Sequence, residues 1–100
     1  IKASFPGGEQ AMEKFFEVNI KYPEVSKEVG IFPTIQVSFI VTPQGKIRDI
    51  KNFGPVIDGL LLKEAIRLVT IMPDWIPAMK SNKPVSQSFI VPITFMLDLK

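Results

Sequence analysis

The sequence predicts an α+β two-layer sandwich in which a three-stranded antiparallel sheet packs against two helices. Three observations carry that prediction. "TIQVSFIVT" at 34–42 alternates apolar and polar side chains as a half-buried strand does, and two further runs can each carry an apolar face. Residues 9–19 and the run "GLLLKEAIRLVTIM" at 59–72 repeat apolar side chains at helical spacing. One hundred residues, 46% apolar with eight Phe, suffice for one core and not for two, so these elements share it.

Taken in order, "IKASFPGG" holds Pro6, Gly7 and Gly8 together and reads as an irregular N-terminal lead-in over 1–8, before a single domain over 9–100. In the first helix Met12, Phe15, Phe16 and Asn19 share a face, with Glu13, Lys14 and Glu17 turned outward. "KYPEVSKEVG" restarts a short helix, with Pro23 suited to its first position and Gly30 to its C-terminal cap. The strand over 34–42 puts Ile35, Val37, Phe39 and Val41 on its core face. "PQG" at 43–45 turns the chain into "KIRDIKNF", where Ile47, Ile50 and Phe53 stand three apart; a hairpin with a bulge in its second strand reconciles that spacing with pairing.

Asp58 is the expected N-cap of the second long helix. Leu62, Ala65, Ile66 and Val69 line its apolar face, widened by Leu61 and Leu68, with Lys63, Glu64 and Arg67 opposite. Pro73 stops it. "DWIPAMKSNKP" reads as a connection with turn chemistry at Ser81-Asn82-Lys83-Pro84, and the last strand runs from about Val85 to Leu99.

The composition closes much of ordinary enzymology. There is no Cys and no His, so thiolate chemistry, disulfides, imidazole bases and the usual transition-metal ligands are absent. Glu9, Glu13 and Glu17 form a solvated helix stripe, Lys80-Ser81 is adjacency and not a dyad, and no glycine-rich phosphate cradle joins a strand to a helix. Neither catalytic residues nor a cofactor is expected. Basic residues scattered at a net charge of +2 argue against a nucleic-acid partner. No apolar run reaches the ~20 residues of a membrane span. The chain begins with Ile1, which suggests a piece of a longer polypeptide.

Trp75 in "MPDWIPAM" reads as a plug at the end of the core, with an interface anchor as the alternative. Tyr22, before Pro23, carries the same pair of readings. The sharper signal is Pro92, inside the most strand-like run, "SFIVPITFML". Proline has no N–H for a ladder, so a central strand should not hold it. Backbone groups at alternate residues point to one neighbour. Ser86, Ser88, Ile90, Pro92, Thr94 and Met96 therefore share a lateral side, and that side is free if the strand lies at the sheet edge. A long uncharged edge invites pairing, and strand addition is an established mode of peptide recognition.

The segments "FPGGEQAMEKFF", "YPEVSKEVG", "VSFIVTPQGKI", "EAIRLV", "MPDWIPAM", "NKPV" and "SFIVPITF" together resemble, in text and order, the C-terminal domain of TonB-family energy transducers, particularly the Bacteroidetes type. The resemblance spans about Phe5 to Leu99. It implies a non-enzymatic periplasmic domain whose last strand, Ser86 to Met96, pairs with the TonB box of an outer-membrane transporter. It further implies that the parent protein is anchored in the inner membrane and meets proton-channel proteins through a region N-terminal to this chain. The family's Tyr-Pro corresponds to Tyr22-Pro23. Two positions depart from the pattern: Phe32-Pro33 and Asn82 stand where relatives commonly carry glycine. The rival reading is a TonB-like interaction or regulatory domain appended to an envelope sensor or membrane peptidase, and a third pairs the edges of two copies in a homodimer.

Overall fold

The structure, a computed structural model, describes residues 1–21, 34–54 and 59–95. The expected short helix after Lys21, Tyr22, Pro23, the Asp58 cap, Met96 and the rest of the expected last strand over 96–99 lie outside the described residues.

Helix α1 (Glu9–Asn19) starts at Gly8, whose φ of 87° is readily reached only without a Cβ, and it buries Phe16 with Met12 and Phe15 half-buried beside it. Strands β1 (Thr34–Val41) and β2 (Ile47–Asn52) form the expected hairpin. Ile35, Val37, Phe39 and Val41 are all buried, as their alternation requires. The bulge is present. Ser38 pairs with Lys51 and Ile40 with Arg48, so Asp49 and Ile50 together oppose Phe39, and Asp49 adopts a left-handed φ of 55°.

Helix α2 (Gly59–Thr70) packs across β1 and β2. Its buried arc is rotated from the expected one: Leu61, Ala65, Leu68 and Val69 are buried, while Leu62 and Ile66 are half-buried. Glu64, expected on the solvent face, is buried. Its carboxylate accepts hydrogen bonds from Arg67 Nε and Nη2, both at 2.7 Å, and from the Lys21 amide at 2.6 Å, while Arg67 Nη2 donates to the Asn19 carbonyl at 2.8 Å. A charge tolerates burial when it is paired and hydrogen-bonded in this way, and here it fastens the end of α1 to α2.

The expected connection after α2 contains a second hairpin. Strands β3 (Ala78–Lys80) and β4 (Lys83–Val85) pair around Ser81 and Asn82, both left-handed at φ 52° and 63°. Two consecutive positive φ values make the turn whose twist suits a two-residue hairpin, and asparagine tolerates that region better than most residues. Periodicity could not reveal strands of three residues. The last strand is shorter than expected, because Val85 belongs to β4 and Ser86 breaks the pairing: β5 (Gln87–Thr94) pairs antiparallel with β1, giving the sheet order β2-β1-β5, and Phe95 lies just past its end. The three-stranded antiparallel sheet and two helices are the predicted α+β fold.

Candidate functional site: the free edge of β5

The register of β1 against β5 is continuous, from Thr34 opposite Thr94 to Val41 opposite Gln87. Its direction is fixed by one bond. The Gln36 carbonyl accepts from the Phe53 amide at 2.8 Å, just past the end of β2, so the backbone groups of Gln36 face β2. Pro92 lies opposite Gln36, and in an antiparallel ladder such a pair exchanges no bonds, so Pro92 faces away from β1. Ser88, Ile90 and Thr94 have the same parity. Their backbone groups also point outward, and no strand pairs with β5 on that side among the described residues. The missing donor at Pro92 thus removes nothing from the sheet.

The Thr34–Thr94 pair agrees with this parity. Pairs that exchange no backbone bonds bring side chains closest, and the two hydroxyls lie 3.1 Å apart. On β5 the side chains of Ser88, Ile90, Pro92 and Thr94 are exposed, those of Val91 and Ile93 buried, and that of Phe89 half-buried. Ser86 is exposed in the single-residue break between β4 and β5. The candidate residues of β5 therefore form one continuous outward row, which Ser86 precedes.

Trp75 is set apart from that row. It is 5% exposed and packs against Phe5, Phe39 and Phe89, with ring centroids 6.0, 5.4 and 5.0 Å away. Its backbone is fixed by the β1–β2 turn: its amide donates to the Gly45 carbonyl at 2.8 Å, and Lys46 forms a 2.7 Å ion pair with Asp74. Gly45 has φ +81°, and a Cβ there would lie 2.1 Å from the Trp75 carbonyl oxygen. Only glycine allows that approach.

Sequence reasoning missed what lies beside the edge. The lead-in is held by the Ser4–Ile76 bridge, by Ile1 and Met79 exchanging backbone bonds at 2.9 and 3.1 Å, and by the Ala3 amide donating to Gln87 Oε1 at 2.7 Å. Phe5 is buried against Trp75 and Phe15. Between the lead-in, α1 and β5 this leaves a groove of about 280 Å³, lined by Ser4, Phe5, Met12, Trp75 and the stretch from Phe89 to Pro92. The apolar Phe5 next to Pro-Gly-Gly was the available signal. Among the described residues no three His, Cys, Asp or Glu side chains are grouped to hold a metal, and no helix is long and apolar enough to cross a membrane.

The family model for the Gram-negative bacterial TonB protein C-terminal domain matches residues 18–97. Among solved structures, the chain is similar to the TonB C-terminal domain of Helicobacter pylori in two solution structures. One has 19% identity and a TM-score of 0.63, covering 89% of this chain and 79% of the other; the second has 20% identity and 0.65, covering 87% and 90%. The Pseudomonas aeruginosa TonB C-terminal domain has 21% identity and 0.63, with 81% of each chain covered. At these identities the likeness bears on the fold. No curated protein matches the chain in sequence.

Proposed function

Because the chain belongs to the TonB C-terminal domain family, we propose that it is the periplasmic, peptide-binding end of a TonB-like energy transducer anchored in the inner membrane. In this reading the TonB box of an outer-membrane transporter adds as a fourth strand along β5, and tension from the inner membrane reaches the transporter through that pairing. The observation that supports it is the outward parity of Ser88, Ile90, Pro92 and Thr94 on an edge without a partner among the described residues. Main-chain bonds supply affinity in strand addition, and they need an extended, uncommitted edge.

Pro92 removes one donor from that edge, which leaves the amides of Ile90 and Thr94 on either side of a gap. The visitor must match that gap. The test uses a peptide carrying a transporter's TonB box, titrated into labelled protein. Amide signals of residues 86–95 shift before those of α1 and α2; shifts confined to the helices overturn the reading. Thr94→Pro deletes a second outward donor and leaves the backbone bonds to β1 in place, removing only the exposed hydroxyl contact with Thr34. The loss of one backbone bond, about 0.5–1.5 kcal/mol, together with the ring now facing the visitor, weakens binding about tenfold, while stability changes little. Unaltered affinity in a folded Thr94→Pro protein places the peptide elsewhere.

A further inference from the structure

We propose that the groove between the lead-in, α1 and β5 is a side-chain subsite of the edge and selects an apolar residue in the added strand. This rests on the edge-pairing reading above. Side chains on adjacent strands share a face when their residues are level. Visitor residues level with Phe89 and Val91 therefore turn to the face that Phe89 and Val91 occupy, and both of these residues line the groove. Ile90 and Pro92 also border the groove, but their side chains lie on the exposed face, and visitor residues level with them turn to that face. The groove is thus met by two visitor positions, two residues apart, and by neither of their immediate neighbours.

Its size and lining decide the occupant. About 280 Å³ lies at or below the about 300–1,000 Å³ of small-molecule pockets, which suits one or two side chains better than a free ligand. Phe5, Met12 and Trp75 contribute apolar surface, and Met12 is half-buried and unbranched, so it can adjust to a guest. Glu9 alone among the described lining residues carries a charge, and it opposes an acidic guest. The geometry assigns Leu-sized or aromatic side chains to the groove and excludes Asp and Glu.

The experiment is a positional-scanning library of capped nine-residue peptides, each position fixed in turn, bound to the whole chain and to its Met12→Ala, Met12→Phe and Thr94→Pro variants. An apolar preference of at least about tenfold over Asp, about 1.4 kcal/mol, appears at two positions two apart. It moves to larger residues in Met12→Ala and to smaller ones in Met12→Phe. Trp75, the single tryptophan, gives a readout that needs no variant: its emission shifts with a Leu-bearing peptide and not with the Ala-bearing control. If the preference is missing, or Trp75 and the Met12 variants do not respond, while Thr94→Pro still weakens every peptide, the subsite is overturned and edge pairing stands. A library that does not bind, or binds without regard to Thr94→Pro, removes both.

Discussion

Single residues carry constraints that strand and helix periodicity does not express. Gly45 combines a left-handed φ with a Trp75 carbonyl oxygen 2.1 Å from where a Cβ would stand, and its own carbonyl receives the Trp75 amide. Left-handed backbone costs an ordinary residue about 1–2 kcal/mol, and the clash is with backbone that cannot rotate away. Gly45→Ala is therefore expected to lower stability by more than about 2 kcal/mol and to alter Trp75 fluorescence in the native state. Urea unfolding checks this, and an unchanged midpoint would show that the turn does not rest on Trp75. Glu64 is the second such residue. Burial raises its pKa, but the hydrogen bonds from Arg67 and the Lys21 amide, with the charges of Arg67 and Lys21, outweigh burial and leave it below the ordinary carboxylate range. Its contribution to stability is thus present above the unfolded value of about 4.3 and fades as the pH falls through its lower folded value. Glu64→Gln is expected to cost about 1–2 kcal/mol at neutral pH, and the gap from wild type narrows below about pH 4. A gap independent of pH would mean that shape, not charge, holds the site.

At the scale of elements, β5 shows how far a sequence can be read. The alternation of Val91 and Ile93 against Ile90, Pro92 and Thr94 fixed both its faces and, through proline's missing donor, its place at the sheet edge. The bulge in β2 was also legible, because Ile47, Ile50 and Phe53 stand at a spacing that regular pairing cannot accommodate. The β3–β4 hairpin was not, since three-residue strands carry no period, although Ser81-Asn82 marked its turn. Nor was the burial of Glu64 beside the expected apolar stripe of α2, because the Glu64–Arg67 pair is completed by backbone groups of Asn19 and Lys21, more than 40 residues away in sequence. Periodicity registers side-chain polarity and is blind to a distant partner that makes burial tolerable. The groove escaped for the same reason: it is built from the lead-in, α1, Trp75 and β5 only after they fold together. The edge has a further consequence. From Gln87 to Thr94 it carries no charge, and Ile90 is 45% exposed, which is the profile of a strand that pairs with copies of itself. Ile90→Lys is expected to reduce concentration-dependent association in sedimentation while changing stability by no more than about 0.5 kcal/mol. Equal association in wild type and Ile90→Lys would locate any self-contact away from β5.

At the scale of the whole molecule, the lead-in connects parts that the central sheet leaves separate. Ser4 bridges Ile76, Ile1 meets Met79, and Ala3 reaches Gln87 at the start of the edge strand. Phe5 closes this arrangement by packing against both Phe15 of α1 and Trp75, with 6% of its surface exposed. These backbone bonds lie beside β5, the strand at the sheet edge. Residues 1–5 are thus packed onto the rest of the fold, and the stability of the whole should register their loss. Replacing a buried Phe by Ala costs about 3–5 kcal/mol, and a domain of this size loses about 4–8 °C of Tm per kcal/mol. Phe5→Ala is therefore expected to lower Tm by more than about 10 °C and to expose the β5 amides to faster hydrogen exchange. Calorimetry and exchange measured together separate two outcomes. A large fall in Tm with faster exchange at β5 confirms that the lead-in braces the edge, whereas a change below about 0.5 kcal/mol, the range of an ordinary surface substitution, would mean that residues 1–8 hang free of the core in solution.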